Sequence, residues 1–328
     1  PADRAVSTDR WTPKVPPISR CDTPCQHEML DAMNAQHDTV IRVENLQKRY
    51  GDVTTVSGLS FTIERGETFA LLGPNGAGKS TTIEILEGYR TRSGGTVSVL
   101  GCDPEQAGLD WRSRLGIVLQ STGETGGATV REQLRHFAGM YPNPRNVDEV
   151  IAAVGLEAKA SSQIRHLSGG QRRRVDVALG IIGRPEVLFL DEPTTGFDPS
   201  ARRQFWDLIR SLKDEGTAIL LTTHYLDEAA HLSDRVAVIA AGKLAALNTV
   251  DRLGSDEART PLVRWCEGDA VREQRTHEPG QLVASLVSAA GGREPQGLEV
   301  IRPSLEDIYL GLIAEHDSAA AAAAAQEA

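Results

Sequence analysis

Ten consecutive residues constrain this chain more than any others: Gly73-Pro74-Asn75-Gly76-Ala77-Gly78-Lys79-Ser80-Thr81-Thr82. They fit the pattern Gly, four residues, Gly-Lys-Ser/Thr, between an apolar run (Thr68–Leu72) and a stretch with helical spacing (Lys79–Leu86). A strand, a glycine loop and a helix in that order make a phosphate-binding loop. The glycines let successive N–H groups turn inward on an anion, and the helix start adds its own free N–H groups and positive dipole end. Lys79 then reaches the β- and γ-phosphates and Ser80 holds Mg²⁺. Gly73, Pro74, Asn75, Gly76, Ala77, Gly78 and Thr81 complete the cradle.

With 328 residues, 24% of them charged and 40% hydrophobic, the composition is that of a globular protein of about two domains. The net charge of −10, from 45 acidic and 35 basic residues, argues against a nucleic-acid binder, which needs a basic face. The cluster Arg172-Arg173-Arg174 reads as a solvated helix face. No apolar run approaches the ~20 residues of a membrane span, and residues 1–20 lack the apolar segment of a signal peptide, so a cytoplasmic location is expected. Four scattered cysteines (Cys21, Cys25, Cys102, Cys266) suit a reducing compartment, and Cys21, Cys25, His27 and His37 match no standard zinc spacing.

Residues 1–38 read as a disordered leader. From Thr39 the chain alternates apolar and polar residues, giving short strands at 39–43, 61–64 and 96–100 around the parallel-type strand 68–72. Leu115–Leu119 is another strand, ending on Gln120 before a polar, Gly-rich loop expected to be mobile. A helical insert follows, from about 121 to 183, with a capping box at Thr129 and Glu132 and a second helix from Val147 to Gly155. Val187–Leu190 and Ala218–Leu221 are buried strands separated by an amphipathic helix with Phe205, Leu208, Ile209 and Leu212 on its apolar face. Strands at 235–239 and 243–247 close a unit spanning 39–253. Residues 254–315 read as a small α+β appendage, and 316–328 as a disordered, Ala-rich tail that frays for lack of a face to bury.

The strand Val187–Leu190 delivers Asp191 and Glu192 to a sheet's C-terminal edge, where open α/β sheets bind ligands. Asp191 is placed to bind Mg²⁺, and Glu192 to polarise a water for attack on the γ-phosphorus. His224, ending the neighbouring strand, fits a γ-phosphate donor. Ser168-Gly169-Gly170-Gln171 repeats the small-residue helix start of the phosphate loop without its lysine, a second anion site. Two half-sites in one chain suit two copies facing head to tail.

These motifs together, Gly73–Ser80, Gln120, Leu167–Gln171, Leu188–Pro193 and His224, resemble the ATP-binding cassette family along residues 40–250. The resemblance implies an α/β fold: a P-loop NTPase core of RecA-like type, an antiparallel β subdomain, an inserted α-helical subdomain and a C-terminal α+β appendage. It implies an ATPase subunit, using ATP and Mg²⁺, that forms an ATP-sandwich homodimer and drives a separate membrane permease. In its terms Tyr50 stacks on adenine, Gln120 senses Mg²⁺ and the attacking water, and Asp198 lies in a loop crossing the dimer. Phe197 departs from the family's usual leucine beside that aspartate. Residues 183–196 with Arg302–Tyr309 resemble the daunorubicin-resistance type of subunit, whose partners are ABC-2 type permeases exporting drugs or polyketides, with the ATPase peripheral on the cytoplasmic membrane face. An importer subunit or a soluble, non-transport cassette protein stays open as an alternative.

Overall fold

The structure, a computed structural model, describes residues 39–119, 127–223, 225–268 and 270–326, with only the backbone course for 317–326. Two long strands, β1 (Thr39–Tyr50) and β2 (Val53–Glu64), form a hairpin, and β3 (Thr68–Leu72) leads through the phosphate loop into α1 (Lys79–Leu86). Next come β4 (Gly94–Val99), the single-turn α2 (Leu109–Arg112) and β5 (Leu115–Val118). The insert contains α3 (Val130–Ala138), α4 (Val147–Ala153) and α5 (Gly169–Ile181). The chain then alternates β6 (Val187–Asp191), α6 (Pro199–Asp214), β7 (Ala218–Thr222), α7 (Leu226–Leu232), β8 (Arg235–Ala240) and β9 (Lys243–Thr249). It finishes with α8 (Asp256–Arg259), β10 (Leu262–Glu267), β11 (Ala270–Arg275), α9 (Pro279–Ala289), β12 (Glu299–Ile301) and α10 (Leu305–Gln326).

Six strands form the central sheet in the order β5-β6-β7-β3-β8-β9, all parallel except the β8–β9 pair. Its inner strands are apolar throughout because both faces are covered. One face, carrying Phe69, Leu71, Phe189, Leu220 and Ile239, packs with α1 against the antiparallel sheet β2-β1-β4. The alternate residues Ala70, Leu72, Leu188, Leu190 and Leu221 pack with α5, α6 and the insert on the other face. All the parallel strands therefore end at one edge, where the phosphate loop, Asp191 and Glu192 follow from β3 and β6. The strong periodic signals of the sequence become the elements expected of them, including the Thr129–Glu132 capping box, in which each residue's side chain accepts from the other's backbone N–H.

Two elements of the C-terminal region beside the sheet β11-β10-β12 were not anticipated. Every residue of β11 is exposed, so it offers no alternation to read, whereas α9 does carry Leu282, Val283, Leu286 and Val287 at helical spacing on a half-buried face, a signal that the sequence reading passed over. The tail also differs from expectation: the helix α10 continues to Gln326 instead of giving way to disorder at 316. Ile308 is buried in the main core, with Leu305, Tyr309 and Leu312 packed on it, so the costly first turns are anchored. Alanine, the best helix former, then extends them. No helix among the described residues is long and apolar enough to cross a membrane. The leader 1–38 with its cysteines and histidines, Gln120 with the start of its loop, and His224 all lie outside the described residues.

Candidate nucleotide site

The phosphate loop is pressed between two strands. A Cβ added to Gly73 would stand 2.3 Å from the carbonyl oxygen of Ile239 on β8, and one on Gly78 would stand 2.7 Å from that of Thr55 on β2. Gly78 also takes φ +100°, a left-handed conformation that side chains resist, so only glycine serves there. As the residue before α1 it offers no side-chain cap, which leaves the helix's first N–H groups to meet an external acceptor. Lys79 folds back, its Nζ donating to the carbonyls of Gly73 at 2.7 Å and Pro74 at 3.1 Å. Burial pulls its pKa down from the usual lysine range, opposed by the charges of Glu192 and Asp191.

The two carboxylates are set by β6 and its neighbour β7. Thr222 Oγ1 donates to Asp191 Oδ1, and the Glu192 N–H donates to the Thr222 carbonyl at 3.1 Å. Glu192 takes φ +48°, a left-handed conformation unusual for a side-chain-bearing residue and held by that pairing. Thr55, Asn75, Gly76, Gly78, Lys79, Ser80, Thr81, Asp191 and Glu192 together line one pocket of about 170 Å³. The phosphate loop and both carboxylates are thus brought together.

Ser168-Gly169-Gly170-Gln171 is not part of that pocket. It caps α5 by a reciprocal pair: Gln171 N–H donates to Ser168 Oγ at 3.3 Å, and Ser168 N–H to Gln171 Oε1 at 3.0 Å. The Gln171 side chain, expected to face a ligand, is occupied by its own helix start, while Ser168 and Gly169 stay exposed. Asp198 likewise caps α6, Oδ1 accepting from the N–H groups of Ser200 and Ala201 at 2.9 Å each, and these bonds hold its carboxyl below the usual range. Phe197 turns inward, buried and edge-on to Phe205 at 5.9 Å between centroids, so its bulk goes to the core instead of the crossing loop. Tyr50 is 40% exposed at the end of β1, with Lys48 Nζ 4.9 Å and the Arg90 guanidinium 5.7 Å from its ring centroid; it is a surface ring, not a core one.

Residues 56–195 match the ABC transporter family. Nod factor export ATP-binding protein I of Ralstonia nicotianae is 37% identical over 300 residues, covering 83% of this chain and 93% of that protein. The chain belongs to the ATP-binding cassette family. The cassette is also 40% identical over 225 residues to daunorubicin resistance ATP-binding protein DrrA3 of Streptomyces coeruleorubidus, covering 67% of this chain and 71% of the relative. Among solved structures, the dimeric post-hydrolysis state of the cassette MJ0796 bound to ADP and Pi superposes with TM-score 0.58 at 21% identity, covering 64% of this chain and 98% of that one, a likeness of fold.

The site suits the nucleotide that cassettes bind. Ser80 and Asp191 offer a hydroxyl and a carboxylate on the same pocket, hard oxygen donors appropriate to Mg²⁺. Among the described residues no group of three or more His, Cys, Asp or Glu is placed to hold a metal by itself.

Two residues that sequence reasoning missed stand close behind the cassette's site. Glu87, just past α1, is 8% exposed, and its carboxyl is pushed up to about 8 by burial, then by Asp191 and Glu84. It opens on a groove of about 560 Å³ that it shares with Ser80, Asp191, Tyr89, Ile117 and Leu119. Arg173 corrects the reading of 172–174 as a solvated face: Arg172 is exposed, but Arg173 is 7% exposed, its guanidinium turned into the core edge. The run of like charges put all three arginines outside; on a helix turning about 100° per residue, Arg173 points inward on the same side as Val177.

Proposed function

We propose that the chain is the ATP-hydrolysing subunit of an exporter, acting as a homodimer with two ATP molecules between its copies. In this reading Lys79 and the loop amides hold the phosphates, and Ser80 and Asp191 hold Mg²⁺, which neutralises phosphate charge. Glu192 orients and deprotonates the attacking water. Gln120 and His224 complete the γ-phosphate surroundings, Tyr50 takes the adenine, and Asp198 crosses the dimer. The observation that carries the reading is the separation of the two anion sites: Lys79, Asp191 and Glu192 line one pocket, while Ser168 and Gly169 lie exposed outside it. A second copy supplies the missing wall.

The energy of closure passes to a separate ABC-2 type permease at the cytoplasmic membrane face, and the cargo is a drug, antibiotic or other hydrophobic compound. The names of the relatives, for Nod factor export and daunorubicin resistance, support export. The groove in which Tyr89, Ile117 and Leu119 stand among Glu84, Glu87 and Arg112, next to the segment entering Gln120, suits the permease contact.

Replacing Glu192 by Gln tests this. The variant should bind ATP, elute as a dimer at millimolar ATP, and lose turnover by about 10²- to 10⁴-fold, the usual contribution of a positioned base. Full turnover by Glu192→Gln, or rapid turnover by a chain that stays monomeric, would sink the reading.

A further inference from the structure

The Arg173 side chain does something that neither the phosphate loop nor the turn Leu167–Gln171, hereafter the signature, requires. Its Nε donates to the Pro193 carbonyl at 3.2 Å, and Nη2 donates to the carbonyls of Glu192, at 3.2 Å, and Asp191. Nη1 donates to the carbonyl of Leu119. The β5–β6 ladder ends at the Val118–Leu190 pair, so these four carbonyls lie just beyond it. One guanidinium takes over from the ladder, tying the strand end that leads into Gln120 to the turn that holds Glu192. Its planar fork of five donors makes this possible, and a lysine, whose donors radiate from one point, cannot span both segments.

Arg173 also stands on the helix whose first turn is the signature. Along α5 it lies about 6 Å from Gly169, at 1.5 Å per residue. A second contact joins the same two regions: Gly170 abuts the Gly196 carbonyl so closely that an added Cβ would stand 2.8 Å from it. The start of α5 is therefore fitted against the segment 191–196 at two places, one a backbone contact and one a rigid side chain.

We propose that Arg173 is a positioning residue that makes the orientation of Glu192, and of the segment entering Gln120, depend on where the signature helix sits. Engagement of Ser168 and Gly169 by the partner's nucleotide displaces α5 as a unit, and the guanidinium carries that displacement to the backbone of Glu192. Hydrolysis is thereby confined to the closed dimer. The inference rests on the ATPase reading above.

The test is ATP turnover per folded molecule by the full chain, measured well below its thermal midpoint, for wild type, Arg173→Met, Arg173→Lys, Glu192→Gln and the double variant Arg173→Met/Glu192→Gln. Arg173→Met should lower kcat by about 10²-fold, the size of a misplaced general base, with KM for ATP within about threefold of wild type. Arg173→Lys should recover only part of the loss. On the Glu192→Gln background Arg173→Met should cost less than about twofold more, since residues acting as a unit are not additive. A purely structural arginine would lower the thermal midpoint yet leave kcat per folded molecule unchanged, and that result overturns the proposal, as does a full further loss in the double variant. If Arg173→Met does not fold, the kcat-against-KM split of Arg173→Lys decides. Undiminished turnover by Glu192→Gln would instead remove the ATPase reading itself, whatever Arg173 does.

Discussion

The cassette begins two helices with glycine-rich turns, and they are built to opposite ends. At α1 the cap is Gly78 in a left-handed conformation with no side chain to accept a hydrogen bond, so the helix start is left open to an external acceptor. At α5 the cap is Ser168 with Gln171 reciprocating, so part of the helix start is satisfied internally. The first turn is buttressed on two sides by Ile239 and Thr55 and backed by Lys79 and two carboxylates. The second is exposed at Ser168 and Gly169, and an added Cβ on Gly169 would meet nothing within 4 Å. One chain thus holds a walled pocket at the first turn and a separate, self-supporting exposed surface at the second. Similar local physics becomes a site only where the tertiary structure adds walls and charge.

The sharpest way to break this contrast is to disable each turn in a different copy. Lys79→Ala and Gly169→Asp should each abolish turnover when alone, the first by weakening nucleotide binding and the second while leaving it intact. Mixed in equal amounts, they should regain turnover, because a mixed dimer holds one site with an intact loop facing an intact signature. A mixture as inactive as its components would mean that each copy carries a whole site.

A smaller effect is expected from two buried acids, Glu87 just past α1 and Asp176 within α5. Glu87, at the end of α1, is pushed up to about 8, and Asp176, on α5, to about 6, in each case chiefly by burial. A raised carboxyl stabilises the fold at pH below its unfolded value and loses that contribution as pH rises towards its folded value. Glu87→Gln should therefore raise the thermal midpoint relative to wild type by an amount that grows from about pH 4.5 to about pH 8. For Asp176→Asn the growth should stop by about pH 6. Thermal melts without nucleotide and in the presence of a chelator, across pH 5 to 9, separate the two windows. Equal pH dependence in both variants would contradict the difference in burial and neighbouring charge. The smallest change belongs to Ser168→Ala, which removes the cap of α5 and should cost about 1 kcal/mol of stability in a denaturant titration. Thr129→Ala, the same capping box on α3 away from either turn, is the matched control: its stability loss should be similar and its turnover unchanged.

Much of this molecule was legible in the sequence because its strongest signals are local. The bounds of β3 and α1, the strand carrying Asp191 and the capping box at Thr129 all follow from residue order within a few positions. What escaped had no such signature. The strand β11 has no buried residue, and the alanine run after Ser318 lacks a face but inherits a helix from the docked turns before it. Arg173 looked like its neighbours Arg172 and Arg174, because a run of like charges does not say which member the helix turns inward.

Sequence by itself determined which residue types stand at the sheet edge: a glycine loop ending in Lys79 and Ser80 after β3, and the Asp191–Glu192 pair at the end of β6, in a P-loop core. Only the tertiary structure decided that Lys79, Asp191 and Glu192 share a pocket while Ser168 and Gly169 do not, that Phe197 points inward, and that Arg173 joins the signature helix to Glu192. Motif chemistry depends on short stretches of chain, which the sequence states outright. Which side chain faces the core, and which segments meet, depends on packing between elements far apart in sequence, and appears only when the sheet and its insert are assembled.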